Sequence, residues 1–211
     1  MNKPITLVIF FLGAITFFLL PSCGDDLETI TNTTDLGYTE KYQRRKTDFA
    51  REGWTEITAP DGILIEKAHY KHDTLDGLRI LYYENGDTNI VETYRQGVFD
   101  GTYSLYYENG QIKQQGEYVN NEMTGDWLQY HENGQLKEKV QFEHNVENGP
   151  FVEYHKNGKI AAEGHYADGD NEEGILKIYN EQGILSKIMQ CEHGRCTTTW
   201  SLDEEKEATK E

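Results

Sequence analysis

Glycine returns along this chain at a nearly fixed interval. It stands at Gly53, Gly77, Gly101, Gly125, Gly149 and Gly174, in steps of 24, 24, 24, 24 and 25 residues. Nine residues after each comes a second glycine, at Gly62, Gly86, Gly110, Gly134, Gly158 and Gly183. Tyrosine follows the first glycine by five residues at Tyr82, Tyr106, Tyr130, Tyr154 and Tyr179, with Thr58 in the first unit. An aromatic follows by seventeen at Tyr70, Tyr94, Tyr118, Phe142 and Tyr166, and Cys191 closes the series. A unit this short cannot bury a core alone, so neighbouring units must stack and share one. The extra residue of the last step falls in the loop-like "ADGDNEEG".

Each unit reads as a hairpin. The Asn-Gly pairs at 85–86, 109–110, 133–134 and 157–158 are strong turn signals, because both residues tolerate positive φ. The flanking segments alternate apolar and polar: Leu136, Val140 and Phe142 share one face, Lys137, Lys139 and Gln141 the other. No convincing 3.6-residue pattern appears outside the N-terminal apolar run. The expectation is an all-β fold, a repeat array of about six β-hairpins forming one elongated, twisted antiparallel sheet of about twelve strands.

Register decides which aromatics are buried, since a slip of one residue turns a strand over. A two-residue Asn-Gly loop sets Tyr103 opposite Gly116 and Arg79 opposite Glu92. A three-residue Glu-Asn-Gly loop sets Tyr106 opposite Ile112, Tyr130 opposite Leu136 and Tyr154 opposite Ile160. The second pairs the most repeated aromatic with the most repeated aliphatic and is the register expected here. Residues two and five after the unit glycine must then face opposite sides. With the tyrosine column packed, the exposed column is Tyr103, Trp127 and Phe151, accompanied by Tyr107, His131 and His155. These six form the candidate binding face, although cross-strand bracing of about 0.2–1 kcal/mol per pair would also explain such aromatics.

The iterated pattern G-x-W/Y/F-x-x-Y-x-x-N-G-x-I/L, followed by an aromatic, resembles the MORN-repeat variant, which occurs in bacterial proteins often labelled antitoxin-like. The resemblance runs from about Gly53 to Cys191. It implies a hairpin-repeat sheet and protein interaction, and it implies no enzymatic activity.

The ends carry different information. Lys3, an apolar run from Ile5 to Leu20 and a small residue before a cysteine have the form of an export signal over 1–22. Leu20-Pro21-Ser22-Cys23 resembles the lipobox of bacterial lipoproteins, which would make Cys23 the lipid-bearing first residue of the mature chain. "GDD" after it resembles acidic signals that send some lipoproteins to the cell surface. Residues 23–50 read as a polar tether, with "YQRRK" at 42–46 a solvated basic island. The repeat domain is expected over 51–200 and a charged disordered tail over 201–211. Outside the cytoplasm, Cys191 and Cys196 in "CEHGRC" are expected to form a disulfide; a metal site with His193 is the alternative, at a spacing that matches no standard zinc pattern.

The net charge of −17 should repel nucleic acid and anionic headgroups. His131 and His155 hold the same place in successive units, about 9.5 Å apart across two strands, too far for one zinc ion without further ligands. They read as solvated surface histidines. No Ser-His-Asp order, phosphate loop or nucleotide fingerprint appears, so neither enzymatic activity nor a cofactor or metal is expected. The expected protein is a lipid-anchored lipoprotein of the bacterial cell envelope, in the outer membrane and facing periplasm or surface. Its sheet would serve as an interaction or scaffolding module for an unidentified envelope or extracellular protein. The alternatives are carbohydrate or cell-wall binding through aromatic columns, and antitoxin-like neutralisation of a partner, which an export signal disfavours. Replacing Cys23 with Ala should shift the protein from the membrane fraction into soluble or unprocessed form, read by fractionation and immunoblot. Membrane retention equal to the parent's after correct cleavage would refute lipid anchoring.

Overall fold

The computed structural model describes residues 26–203 and 205; the export signal over 1–22 and Cys23 lie outside them. The described chain is one meander. Its first hairpins are β1 (Leu27–Thr33) with β2 (Thr39–Arg45), β3 (Arg51–Thr58) with β4 (Leu64–Lys71), and β5 (Thr74–Tyr82) with β6 (Thr88–Arg95). The middle three are β7 (Val98–Tyr106) with β8 (Ile112–Val119), β9 (Glu122–Tyr130) with β10 (Leu136–Glu143), and β11 (Val146–Tyr154) with β12 (Ile160–Ala167). After the short β13 (Asn171–Glu172) come β14 (Gly174–Tyr179), β15 (Leu185–Glu192) and β16 (Arg195–Ser201). Every pairing is antiparallel, and all sixteen strands belong to one open sheet in chain order, with β13 attached to β12 beside the main path.

Two rows of turns border this sheet. In one row the Asn-Gly loops close as five residues: Tyr107 N–H donates to Gln111 O at 2.8 Å and Gly110 N–H returns to Tyr107 O at 2.9 Å. Of the pair, glycine alone is left-handed, Gly110 having φ 78°. Asparagine contributes instead through its side chain, Asn109 Oδ1 accepting from Gln111 N–H at 2.9 Å. In the other row both central residues have positive φ, as in Asn120 (52°) with Asn121 (69°) and Gln96 (50°) with Gly97 (80°), the geometry of tight two-residue hairpins.

Both registers weighed from the sequence occur together. Tyr106 lies opposite Ile112, and beyond a bulge between Leu105 and Tyr106 the strands pair Tyr103 with Gly116. The equivalent bulge between Leu136 and Glu138 sets Tyr130 against Leu136 and Trp127 against Val140, so Leu136 leaves the face it was expected to share with Val140 and Phe142. The bulge absorbs the one-residue difference between the two loops, so the loop alone does not choose the buried face.

The buried face is the one expected to be exposed. Trp127 and Val140 are 1% exposed and Phe151 is 3% exposed, and Tyr103, Tyr118, Met123, Phe142, Tyr166 and Leu176 pack against them. Across the strands a large residue alternates with a small one: Tyr103 faces Gly116, Val140 separates Trp127 from Phe151, and Phe151 faces Gly164. A Cβ on Gly116 would come within 2.3 Å of Trp127 Cδ2 and Cε2, and one on Gly164 within 2.8 Å of Phe151 Cε1. Glycine thus lets each ring lie on the neighbouring backbone, and a single sheet covers a tryptophan without a second layer. Tyr118 meets Trp127 edge-on at 5.3 Å between centroids, while Phe99 stacks on Tyr118 at 4.0 Å. Burying an aromatic of 150–250 Å² is worth roughly 4–6 kcal/mol by area. The Trp127 indole N–H is buried without an acceptor among the described residues, so packing alone holds the ring against a desolvation cost of about 1–3 kcal/mol.

Towards the N-terminus the same row turns polar. Arg79 occupies the position of Tyr103 and bonds Glu66 at 2.9 Å and Glu92 at 3.1 Å, while Ala68 and Thr55 beside it are buried. Residues 27–45, expected within a tether, form a further hairpin. Its turn repeats the five-residue closure, with Thr34 N–H to Tyr38 O and Gly37 N–H to Thr34 O, both 2.9 Å. The basic island is consumed in this hairpin and its flanks: Arg44 pairs with Glu28, Arg45 with Asp48 and Lys46 with Asp26. At the other end Cys191 and Cys196 lie opposite each other, Cα atoms 4.0 Å apart, and are joined by a disulfide. Ser201 ends β16, and residues 204 and 206–211 of the expected tail lie outside the described residues.

Gly116→Ala should destabilise by about 1–3 kcal/mol through overpacking, and Trp127→Ala by about 3–5 kcal/mol. In the double variant the costs should fall short of their sum, since a small residue at 127 leaves room for the methyl. Chemical denaturation of the four chains measures this; strictly additive losses would mean that the ring does not rest on Gly116.

Candidate functional site

The six residues expected to form one exposed face separate into two groups. Tyr103, Trp127 and Phe151 belong to the packed face for the reason just given: glycine opposite or beside them accepts their rings. Tyr107, His131 and His155 stand in the Asn-Gly turn row, where each reaches the next unit. Tyr107 donates its hydroxyl proton to Tyr130 O at 2.8 Å, as Tyr83 does to Tyr106 O at 2.6 Å. His131 Nε2 lies 3.1 Å from Tyr154 O, and His155 Nε2 lies 3.0 Å from Tyr179 O. A carbonyl can only accept, so Nε2 carries the proton in both histidines. These histidines are therefore not simply solvated: they occupy the tyrosine position because either ring sets a donor at the required reach. Asn109, Asn133 and Asn157 add a parallel row of amide donors to Glu132 O, Lys156 O and Glu181 O, at 2.7–3.1 Å.

The face opposite the core carries the remaining tyrosines. Trp127 and Tyr130 are three residues apart on β9, so they point to opposite sides. Tyr82, Tyr106, Tyr130, Tyr154 and Tyr179 pair with Thr88, Ile112, Leu136, Ile160 and Leu185. All ten are half-buried, and with Thr88 the one polar member they form an aromatic–aliphatic stripe crossing five units. A polar row flanks it. Gln115 Nε2 donates to the Tyr130 hydroxyl at 3.1 Å, and Glu163 accepts from Lys177 at 2.9 Å and from Tyr179 at 2.8 Å. The Lys177 ammonium beside it, with the Tyr179 hydroxyl, holds the Glu163 carboxyl below its ordinary range. An open groove of about 670 Å³ runs along this face beside Thr102, Ser104, Gln115, Glu117, Asp126 and Leu128.

On the packed face around Tyr166 the neighbouring charges are acidic. Burial, then Glu153 and Glu147, push the Glu138 carboxyl up, and burial followed by Glu138 pushes the Tyr166 hydroxyl up. Among the described residues no group of three or more His, Cys, Asp or Glu is placed to hold a metal ion.

The family model of the MORN repeat variant matches residues 99–120, 123–144 and 147–168. These are three consecutive MORN-variant repeats, and they are the units whose packed face is built from Tyr103, Trp127 and Phe151. No curated protein matches the chain. MORN repeats suggest a repeat-based module for protein–protein or membrane association, and their all-β fold is typically non-catalytic.

Tyr107→Phe removes one donor of the turn ladder and leaves the ring in place. It should lower stability by about 0.5–1.5 kcal/mol and speed amide exchange in the 131–135 turn of the next unit. Unchanged exchange there would show that the hydroxyl does not tie the two units together.

Proposed function

We propose that this chain, with three consecutive MORN-variant repeats across residues 99–168, is a non-catalytic interaction module of the cell envelope, anchored by lipid on Cys23 and binding a partner protein along its tyrosine stripe. One observation carries the reading. The core consumes one face of a single-layer sheet, and the other face still presents five tyrosines in a row, half-buried and four of them paired with aliphatics. Aromatic residues that keep contact area beside polar neighbours suit protein recognition, where a few such anchors dominate the energy. The stripe repeats every two strands, about 9.5 Å, which suits an extended partner surface better than a small molecule.

The anchor rests on the Leu20–Cys23 motif. With β1 starting at Leu27, Cys23 stands four positions ahead of the sheet, so lipid there would hold the N-terminal edge close to the bilayer. Carbohydrate binding through Trp127 is closed off, because that ring is packed away.

Substituting Tyr106, Tyr130 and Tyr154 together with Ala should reduce partner capture, in crosslinking from intact cells, by more than about 30-fold, the equivalent of one hot spot. Melting should change little in comparison with Trp127→Ala. Capture that survives the triple substitution would remove the stripe from consideration as the docking face.

A further inference from the structure

Among the described residues no strand pairs with the outer side of β1. Natural sheets blunt such an edge with charged side chains, lysine above all, with proline, a bulge or a cover. β1 reads Leu-Glu-Thr-Ile-Thr-Asn-Thr, without lysine or proline, and its one charge, Glu28, is turned to Arg44 of β2. Its pairing with β2 runs unbroken from Leu27–Arg45 to Thr33–Thr39, whereas the hairpin pairs that follow all contain a bulge. The bonds at its two ends, Lys46 N–H to Asp26 O and Thr34 N–H to Tyr38 O, fix the alternation between them. Even-numbered residues bond to β2, and Leu27, Thr29, Thr31 and Thr33 turn their N–H and C=O groups outward.

We infer that the outer edge of β1 pairs antiparallel with β1 of a second copy, about a twofold axis through Ile30. In this register Leu27 faces Thr33, Glu28 faces Asn32, Thr29 faces Thr31 and Ile30 faces itself. All four outward-turned residues find partners, and no like charges oppose. Glu28 is already neutralised by Arg44 at 2.8 Å. Ile30 extends the row that holds Tyr42 and Thr55 on the packed face, so the core surface continues across the junction.

Charge favours this end for self-association. The chain carries −17 overall, yet residues 26–46 hold four acids, Asp26, Glu28, Asp35 and Glu40, against four bases, Lys41, Arg44, Arg45 and Lys46. Here two copies meet without net repulsion. Head-to-tail joining of β16 to β1 is disfavoured, because the main path has an odd number of strands. Both edge strands run the same way, and joining them with faces matched would require a parallel pair.

Mild oxidation of the purified full chain carrying I30C tests the pairing, the parent with its own cysteines setting the background. I30C should give a covalent dimer, and N32C, which faces Glu28 instead of itself, should give none above background. Adding T29K/T31K to I30C should abolish the dimer by setting like charges opposite each other, and T29E/T31K should restore it by setting opposite charges there. Restoration also shows that the doubly substituted edge still folds. Monomeric I30C, equal crosslinking at positions 30 and 32, or a dimer indifferent to T29K/T31K would each overturn the inference.

Discussion

The seating of the Trp127 ring on Gly116 is the contact on which the rest of this sheet depends. A single layer has no facing sheet or helix to cover a large side chain, so cover must come from within the face. Alternating a large residue on one strand with glycine or valine on the next gives each ring a flat floor and walls from its neighbours, Tyr118 and Phe142 in the case of Trp127. The arrangement commits one face entirely to stability. Whatever the protein recognises must be met on the other face, at the turns or at the edges.

The hairpin period, the turns and the local pairing of Tyr106 with Ile112 were legible in the sequence. The identity of the buried face was not. Both candidate registers described true pairs, and treating them as exclusive hid the bulge that joins them. The deciding signal was present in glycine at 116 and 164, across the sheet from the largest side chains, because only a missing side chain gives those rings somewhere to lie. The β1–β2 hairpin was missed because Glu28 and polar residues stand where later units carry glycine and aromatics. Gly37, 25 residues before Gly62, was its one visible mark. His131 and His155 were weighed as zinc ligands and then as solvated side chains, when their place beside Tyr83 and Tyr107 in the series pointed to reach and donor capacity.

Electrostatics divides the array in a way the glycine period does not show. The units with aromatic rows are flanked by carboxylates, and burial lifts Glu138 and Glu147. A carboxyl raised in the folded state favours its protonated form, so these two oppose stability above their raised values and cease to do so as pH falls through them. Near the N-terminus the aromatic row gives way to Arg79 between Glu66 and Glu92, whose hydrogen bonds keep the guanidinium firmly charged. The array thus passes from an ion-paired end to an apolar middle, and the family match coincides with the apolar part.

In this sheet the strands lie across the long axis and their hydrogen bonds run along it. Fifteen strands on the main path, at 4.7–4.9 Å each, make a ribbon on the order of 70 Å long. Tension applied between the N-terminal and C-terminal edges therefore acts in line with those bonds. Such loading peels strands one pair at a time and does not shear a whole ladder at once. The Cys191–Cys196 bridge closes the last hairpin against that peeling, and the turn-row tyrosines and histidines stitch together the hairpins from β5–β6 to β14–β15. Under pull, the molecule would behave as an extensible strap that pays out length strand by strand.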